Sequence, residues 1–421
     1  MKKSRILAYA SRLIGVGLTF ILSTFLARVL GADDFGTYSF LISLTMLLTL
    51  PTQSALPIMA LRDVAKSESV NGKTILSKST RLLPYVIMLY AFIEIFIITL
   101  VNEFIVAIDS DEVELYWIFP LLVIIPLSLL YSSMIRGCGP LITSMVPEYV
   151  VKPFATIILV LYFYYMNASF DVAHAILSVT ISGVIILAFY FLYLQGVTVK
   201  SNTQSREKLN IKEFFNLSVI SGGQVIFANI EVFFLGFLST TSDVGIYKVA
   251  LVISVLIIFS QTVINQIIQP DIVKKYHEKD LLGLQQVIKN SSLIITSLGL
   301  LFFVLLISVG KPLIVYFYGA DYESAYYILL VLSFGQIVNM AFGSVGTILN
   351  MTKNESHAVN PMLFTIIINV VLDIMLIYLF GVYGAATAAV ISMVLWNVLL
   401  RRQVLKRTGI ESSGVILLFK G

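Results

Sequence analysis

The sequence has few charged residues and almost no cysteine, and these two shortages exclude several classes of protein. Only 12% of its 421 residues are charged, which is half of the roughly 25% that is usual in water-soluble domains. The single cysteine, Cys138, excludes an intramolecular disulfide and a cysteine-based metal site. We therefore exclude a soluble enzyme, a soluble nucleic-acid-binding protein and a disordered scaffold.

Motifs of catalysis and cofactor binding are also lacking. The three histidines, His174, His277 and His357, lie too far apart along the chain to form a zinc motif. The sequence contains neither a phosphate-binding G-x-x-x-x-G-K-[ST] loop nor a G-x-S-x-G nucleophile motif. We therefore expect a protein that is not an enzyme and that uses no cofactor and no metal.

What the sequence does have is long hydrophobic runs. Hydrophobic residues make up 58% of the chain, and the mean hydropathy is +0.93. A membrane-spanning helix needs about 20 mostly apolar residues, and continuous rather than alternating hydrophobicity indicates helices rather than barrel strands. The runs predict an all-α polytopic membrane protein with twelve spans, at residues 5–29, 35–61, 82–107, 115–137, 140–166, 173–195, 213–238, 243–269, 290–318, 324–350, 357–379 and 382–400.

The distribution of lysine and arginine predicts the orientation. If the N-terminus is cytoplasmic, 23 of these residues, Arg136 among them, lie on the cytoplasmic side. Only Arg28, Lys248 and Lys311 lie on the outer side. Since cytoplasmic loops carry the excess of positive charge, both termini are predicted to be cytoplasmic. Arg12 interrupts the first apolar run early, so we interpret 5–29 as a retained helix rather than a cleaved signal peptide.

A short internal repeat predicts two related halves. The sequence Asp-Phe-Gly-Thr-Tyr at 34–38 returns as Asp-Val-Gly-Ile-Tyr at 243–247, an offset of 209 residues. Six helices return the chain to its starting side, so the halves are expected to be parallel repeats. The predicted organisation is a six-helix lobe 1–195, a cytoplasmic linker 196–212, a six-helix lobe 213–400 and a cytoplasmic tail 401–421.

Six charged residues lie inside the predicted spans: Arg12, Glu94, Glu148, Lys152, Glu231 and Asp373. A charge near the bilayer centre costs about 2.5–3.5 kcal/mol on insertion scales, so all six are candidate substrate-binding residues. Other interpretations stay open. Glu148 and Lys152 have the i,i+4 spacing of a helix ion pair, Arg12 could extend to the interface, and the other acids could be buried hydrogen-bonding groups.

Several short motifs together resemble a known family. They are Leu26-Ala27-Arg28 with Leu30-Gly31, then Phe35-Gly36-Thr37-Tyr38, later Tyr318-Gly319 with Tyr322, Ala325 and Leu329, then Gly343, Gly346, Leu349 and Asn350, and finally Asn369, Leu376-Ile377, Gly381 and Gly384-Ala385-Ala386. On these residues the chain resembles the Wzx-type (O-antigen-type) polysaccharide flippases of the MATE-like multidrug/oligosaccharidyl-lipid/polysaccharide superfamily. Asp373 departs from the pattern, which leads us to expect a neutral residue there.

The resemblance implies a function. It implies two lobes around a central cavity, working by alternating access in the bacterial inner membrane. The implied substrate is an undecaprenyl-pyrophosphate-linked oligosaccharide, moved from the cytoplasmic to the outer leaflet for surface polysaccharides such as the O-antigen of lipopolysaccharide. It further implies membrane lipid and a polysaccharide polymerase as partners, leaves open coupling to H⁺ or Na⁺, and implies no nucleic acid.

Two other functions remain open. A cation-coupled drug antiporter of the same superfamily would suit the four acids against two bases inside the spans. A membrane scaffold without transport would make all six charges dispensable.

Overall fold

The long apolar runs fold into long helices, because a helix satisfies its backbone hydrogen bonds within one segment. A computed structural model describes residues 2–67, 69–70, 73–106, 115–166, 169–200 and 211–419. The α-helices are α1 (Lys2–Leu48), α2 (Leu50–Gln53), α3 (Ala55–Ala65), α4 (Lys78–Val106), α5 (Phe119–Gly137), α6 (Leu141–Val146), α7 (Lys152–Met166), α8 (Val172–Val197), α9 (Ile211–Leu238), α10 (Thr241–His277), α11 (Leu281–Tyr318), α12 (Ala325–Ala341), α13 (Val345–Met351), α14 (Val359–Thr408) and α15 (Gly414–Phe419).

Shorter helical pieces connect some of these helices. Turns of 3₁₀-helix lie at Leu115–Ile118, Ala320–Tyr322 and Glu355–Ala358. One turn of π-helix, Pro147–Val151, joins α6 to α7. Single π-helical turns inside helices frequently occur at functional sites.

The all-α membrane fold is confirmed. In the described ranges nine helices are long and apolar enough to span a membrane, and the bent pair α12 and α13 makes a tenth. Two of the nine are bent at an internal glycine with positive φ, Gly31 in α1 and Gly381 in α14. Glycine adopts such a conformation without the steric penalty of a side chain. Each bend falls between two predicted spans, so the glycine breaks lie where the prediction separates 5–29 from 35–61 and 357–379 from 382–400. The span predicted at 35–61 continues past the end of α1 through α2 into α3.

A small sheet was not predicted. Strands β1 (Ser69–Val70), β2 (Lys73–Leu76) and β3 (Thr198–Lys200) lie in that order. β1 pairs with β2 in antiparallel fashion, whereas β2 and β3 are parallel, with Thr74 opposite Thr198. The sheet therefore ties the segment after α3 to the end of α8.

The chain divides into two compact units. The first comprises residues 1–30 and 40–225, and the second comprises 31–39 and 226–421. Residues 31–39 thus belong to the second unit, although they lie within the first predicted lobe. The boundary near 225 falls inside α9 rather than in the predicted linker 196–212. Residues 201–210 of that linker lie outside the described residues, and its cytoplasmic location stays a prediction.

Each unit has its own apolar core. In the first unit, α3, α4, α5 and α8 contribute Ala60, Val64, Ile87, Leu130, Ile135 and Tyr190. In the second, α10, α11, α13 and α14 contribute Ile272, Leu284, Ile288, Ile348, Leu400 and Val404.

The two copies of the repeated motif touch each other inside the second unit. A Cβ atom on Gly36 would lie 1.8 Å from the carbonyl oxygen of Thr241, and one on Gly245 would lie 2.3 Å from that of Ala32. Both distances are far below a normal contact, so only glycine fits at either position. The Thr241 hydroxyl also donates to the Asp33 carboxylate at 3.2 Å. The glycines of the repeat therefore serve a close backbone crossing of α1 and α10.

The same crossing brings together two of the motifs that carried the family resemblance. The Phe35 ring lies edge-on to the Tyr322 ring, with centroids 6.3 Å apart, and Tyr322 in turn packs against Tyr318 at 6.0 Å. All three rings are buried. Edge-to-face aromatic pairs of this kind add about 0.5–1.5 kcal/mol beyond the area that they bury.

The C-terminal segment is packed into the second unit rather than extended as a tail. α14 continues to Thr408, beyond the predicted end of the last span at 400. Arg401 then binds the Glu411 carboxylate with two hydrogen bonds, at 2.7 and 2.5 Å. Gln285 of α11 exchanges two more with the Glu411 backbone, at 2.7 and 2.9 Å. Since Ser412 and Ser413 are buried as well, this segment is part of the fold.

Replacing either glycine of the crossing is expected to destabilise the protein. Gly36→Ala and Gly245→Ala each place a methyl group against a backbone carbonyl that cannot rotate away. Overpacking of this kind costs about 1–3 kcal/mol, so the purified variants should unfold several degrees below the wild type on heating. Gly17→Ala on α1 is the control, because nothing lies within 4 Å of a Cβ there. Unchanged thermal stability of both crossing variants would contradict the close approach.

Candidate functional site

A cationic cluster in the first unit begins at Arg12 on α1. The guanidinium carbon of Arg12 lies 5.3 Å from the centroid of the Tyr149 ring, a cation–π distance. Tyr149 belongs to the π-helical turn. One turn along α1, a Cβ on Gly15 would lie 2.4 Å from the Tyr149 carbonyl oxygen. The glycine therefore lets α1 lie directly on the turn, which holds the tyrosine ring beneath the arginine.

Arg136, near the end of α5, is a second guanidinium in this cluster. Its Nη2 donates to the Ser133 hydroxyl at 2.6 Å, and its guanidinium lies within electrostatic range of that of Arg12. In the part of the chain that the structure describes, the Nε atoms of Arg12 and Arg136 are buried without a hydrogen-bond partner. Two like charges with unused buried donors form a site that an anion would complete.

Glu148 and Lys152 form the ion pair that their spacing allows. The Lys152 ammonium donates to Glu148 Oε1 at 2.9 Å, and both side chains are about one-fifth exposed, at 21% and 22%. The other carboxylate oxygen, Oε2, is buried without a partner among the described residues. Glu148 also acts electrostatically on Tyr190, whose hydroxyl donates to the Ser144 carbonyl at 2.7 Å. The Lys152–Glu148 ion pair thus spans the π-helical turn that carries Tyr149.

The balance of charge in this cluster is positive. Lys152 and Glu148 neutralise each other, whereas Arg12 and Arg136 have no acid within ion-pair distance in the described ranges. A guanidinium presents a planar set of donors that matches phosphate oxygens, and a partly buried pair binds such an anion more strongly than water-exposed cations do. The geometry is therefore suited to a phosphate-bearing ligand.

Glu94 stands apart from the cationic cluster. It lies on α4, is buried, and neither carboxylate oxygen has a hydrogen-bond partner among the described residues. Its electrostatic neighbour is Tyr90, one turn earlier, whose hydroxyl reaches the Leu48 carbonyl only at 3.5 Å. The structure thus does not join Glu94 to the residues predicted with it.

The second unit holds a pair of acids. Glu231 on α9 and Asp373 on α14 act on each other electrostatically, and both act on the Tyr247 hydroxyl of α10. Asp373 and Asn369 have an exposed fraction of 0%. Asn369 lies one turn before Asp373 on the same helix face, and its amide faces the Glu231 carboxyl. Within the described chain, the carboxylate oxygens of Asp373 and the amide of Asn369 have no hydrogen-bond partner.

Two neighbouring buried carboxylates require a compensating positive charge. Burying an isolated ionised carboxylate is very costly, and here no lysine or arginine of the described chain pairs with either acid. A proton or a small monovalent cation would neutralise the pair, with oxygen ligands supplied by the acids and Asn369. The described residues contain no group of three or more His, Cys, Asp or Glu side chains that could hold a metal ion.

Sequence reasoning identified five charged residues of these two clusters and missed Arg136 and the place of Asn369 beside the acids; the five are Arg12, Glu148, Lys152, Glu231 and Asp373. Arg136 was assigned to a cytoplasmic loop because it lies at the end of a span; its i,i+3 spacing from Ser133 inside an apolar run was the available signal. Asn369 was noticed only as part of a motif. The approach of Asp373 to Glu231 joins residues 142 positions apart in the sequence, and no local pattern predicts it.

The fold resembles those of solved membrane transporters. The multidrug resistance MATE family transporter of the MOP superfamily, in its inward-facing conformation, has a TM-score of 0.66 at 16% identity, covering 94% of this chain and 96% of that chain. The lipid II flippase MurJ, in its inward closed conformation, has a TM-score of 0.68 at 15% identity, covering 100% of this chain and 92% of that chain. At this level of identity the likeness shows a shared fold.

Sequence comparison identifies the family. The probable low-salt glycan biosynthesis flippase Agl15 of Haloferax volcanii is 28% identical over 199 residues, which covers 45% of this chain and only 41% of that relative. The family described as polysaccharide biosynthesis protein matches residues 2–274, well over half of the chain. The chain therefore belongs to the polysaccharide biosynthesis protein family.

Proposed function

We propose that this protein flips a lipid-linked oligosaccharide bearing a pyrophosphate across the membrane by alternating access. The observation that carries the proposal is the Arg12–Arg136 pair, with its unused buried donors in membrane-spanning helices. Membership of the polysaccharide biosynthesis protein family supports it. The similarity to a glycan biosynthesis flippase and to a lipid II flippase supports it as well.

A lipid-linked oligosaccharide needs a protein to cross the membrane because its sugars and pyrophosphate are polar. A sugar hydroxyl moved into hydrocarbon without a hydrogen-bond partner costs about 4–8 kcal/mol, so several sugars and a pyrophosphate cannot cross lipid unaided. The prenyl tail can stay in the bilayer while the polar part passes through the protein. In this proposal Arg12 and Arg136 bind the pyrophosphate, and the Lys152–Glu148 pair holds the turn on which Tyr149 supports Arg12.

The finer details belong to the same proposal. The carrier is undecaprenyl pyrophosphate, the product is a surface polysaccharide such as an O-antigen, and both termini lie in the cytoplasm at the inner membrane. Movement is from the cytoplasmic to the outer leaflet. With the cell interior negative, outward transfer of an anion gains about 2.3 kcal/mol per charge per 100 mV.

Removing either arginine is expected to lower flipping without loss of protein. Hydrogen bonds to charged groups contribute about 1.5–3 kcal/mol each, so Arg12→Ala and Arg136→Ala should each slow flipping of a fluorescent lipid-linked oligosaccharide in proteoliposomes about 10- to 100-fold. The double variant should lose less than the product of the two, because the residues share one ligand. Arg12→Lys should retain part of the activity, since it keeps the charge but loses the planar fork.

The matched control is Arg402→Ala, which removes an exposed arginine from α14. It should flip at the wild-type rate. If Arg12→Ala and Arg136→Ala also flipped at that rate, with equal amounts of protein in the vesicles, the anion site would be wrong.

The Lys152–Glu148 pair is expected to support the site through its structure. Lys152→Ala leaves Glu148 without its counter-charge, so the amount of protein in the membrane fraction should fall. Adding Glu148→Ala removes the unpaired acid and should restore both protein level and surface polysaccharide in cells lacking their own transporter. A double variant that is present at normal level yet inactive would show instead that Lys152 contacts the substrate.

We further propose that the acid pair Glu231 and Asp373 binds the coupling cation, H⁺ or Na⁺. The support is the burial of both carboxylates beside Asn369, whose amide faces the Glu231 carboxyl, with no basic residue of the described chain paired to the acids. The same pair also favours the second candidate function, a cation-coupled drug antiporter. If the protein were a drug antiporter, cells that express it should become drug-resistant, and this resistance should not depend on Arg12 or Arg136.

Neutral replacements at the acid pair are expected to remove cation dependence. Wild-type flipping in proteoliposomes should change with an imposed Na⁺ or H⁺ gradient, and Glu231→Gln/Asp373→Asn should make the rate independent of both. Glu355→Gln, at an exposed acid before α14, should behave as the wild type. A gradient dependence that survives in the double variant would exclude this pair as the coupling site.

A further inference from the structure

The second unit contains a cluster of amide side chains that belongs neither to the arginine pair nor to the acid pair. Gln261 lies on α10, Gln336 and Asn339 lie on α12, and Asn397 lies on α14; we call these four residues the amide cluster. Gln261, Gln336 and Asn397 are buried, with exposed fractions of 8%, 6% and 2%. Burying an amide costs free energy unless it is hydrogen-bonded, so the cluster is stable only if its members have partners.

Asn339 is the centre of the amide cluster. Its Nδ2 donates to Gln261 Oε1 at 3.3 Å and to Gln336 Oε1 at 3.4 Å. Its Oδ1 accepts from Asn397 Nδ2 at 2.9 Å, and that nitrogen also donates to the Met393 carbonyl at 2.9 Å. Polar side chains that bridge membrane helices in this way hold the helices together. The bonds also fix the four amide groups relative to one another.

The hydrogen bonds within the amide cluster use only part of its capacity. An amide side chain has both a carbonyl acceptor and an NH₂ donor. Among the described residues, Gln261 Nε2, Gln336 Nε2 and Asn397 Oδ1 have no partner. Unlike the Asp373 oxygens, these atoms keep some accessible surface. The cluster therefore presents two donors and one acceptor to open space, although most of each side chain is buried.

Aromatic rings lie next to the amide cluster. Trp396 directly precedes Asn397 on α14 and is half-buried. Its ring lies 6.3 Å from the ring of Phe227 on α9, with an angle of 56° between the two planes. An aromatic ring offers an apolar face, and the indole N–H is a further hydrogen-bond donor. The site thus combines apolar rings with groups that both donate and accept.

The amide cluster is uncharged and lies away from the acid pair. Both acids act on Tyr247, which is 14 residues before Gln261 on α10, a rise of about 21 Å at 1.5 Å per residue. A neutral set of donors and acceptors suits a ligand that is polar but uncharged. A coupling cation or a cationic drug would be attracted to the acid pair instead.

We propose that the amide cluster binds sugar hydroxyl groups of the transported glycan, with the Trp396 ring against the C–H face of one sugar. A hydroxyl both donates and accepts, as an amide does, and it is costly inside a membrane without a partner. This inference rests on the proposed flipping function and adds to it a site for the sugars, in the unit that does not hold the arginine pair. Because such a site rejects ligands that lack a matching hydroxyl, the cluster contributes to the choice of glycan.

The test is ligand binding to the purified full-length protein, measured by native mass spectrometry. One probe is the pool of lipid-linked oligosaccharides extracted from the membranes of the cells that make this protein. The other is undecaprenyl pyrophosphate, which has no sugar. The wild type should bind both and should bind the sugar-bearing probe more tightly, and the mass of the complex identifies which member of the pool is bound.

Removing the amides is expected to weaken only the sugar-bearing probe. Gln261→Leu/Gln336→Leu/Asn339→Leu should lower its affinity about tenfold, because hydrogen bonds to the sugar are lost. The affinity for undecaprenyl pyrophosphate should stay unchanged. Replacing the three amides together avoids an unpaired partner, since Asn397 keeps its bond to the Met393 carbonyl.

The matched control is an amide pair outside the cluster. Gln286 Nε2 donates to Asn290 Oδ1 at 3.0 Å on α11, and both side chains are exposed. Gln286→Leu/Asn290→Leu should therefore bind both probes as the wild type does.

Tryptophan fluorescence reports whether the sugar lies at the cluster. The chain has two tryptophans, Trp117 and Trp396, so in a Trp117→Phe background the emission comes from Trp396 alone. The sugar-bearing probe should change this emission in a saturable manner, whereas undecaprenyl pyrophosphate should not.

The outcomes separate the sugar site from the proposed function. If neither probe bound to the wild type, the flipping function would be wrong and the sugar site with it. Equal affinity of the wild type for the two probes, or unchanged binding of the sugar-bearing probe to the triple variant, would overturn the sugar site alone. So would a Trp396 emission that does not respond to a bound sugar-bearing probe. Equal weakening of both probes in the triple variant would also overturn the site, because it would show that the amides only hold the helices together.

Discussion

A charge inside the bilayer must be balanced, because hydrocarbon provides almost no solvation for an ion. The clusters of this protein meet that constraint in different ways. Lys152 and Glu148 balance each other directly at 2.9 Å. Arg12 and Arg136 place two positive charges near each other and leave buried hydrogen-bond donors unused. Glu231 and Asp373 place two carboxyl groups near each other, and the Asp373 oxygens are left without a donor among the described residues. The unbalanced clusters are the ones suited to ligands, an anion in the first unit and a cation in the second.

The internal repeat preserves the helical framework without preserving the charges. With the offset of 209 residues, Arg12 corresponds to Ser221 and Glu231 corresponds to Leu22. The Ser221 hydroxyl donates to the Ser54 carbonyl at 3.4 Å and carries no charge. The motif glycines, by contrast, are present in both copies because each meets a backbone carbonyl that excludes any side chain. Packing constrains both halves alike, whereas the distribution of charge gives each half a different chemistry.

Much of the fold could be predicted because the signals for membrane helices are local. Most predicted spans coincide with helices or with the limbs of the two helices broken at Gly31 and Gly381, whereas those at 35–61, 140–166 and 324–350 each cover more than one helix. Both breaks lie where the prediction separates two spans, but the positive φ of Gly31 and Gly381 was not predicted, because the sequence does not specify the backbone conformation of a glycine. The packed C-terminal segment was also missed. Its polar composition is typical of a tail, and only the contacts of Glu411 with Arg401 and Gln285 hold it in place.

For the candidate sites, the sequence by itself identified six charges within apolar runs, because an ionised residue in such a run is conspicuous and costly. It also allowed the Glu148–Lys152 pair, because an i,i+4 spacing is a property of one helical stretch, and the structure shows that the pair forms. Only the tertiary structure decided which charges meet across different helices. Arg136 comes within electrostatic range of Arg12, and Asp373 within that of Glu231, through helix packing between residues distant in sequence. Those packed neighbours turn single charges into sites, since binding an ion takes several groups held at one place.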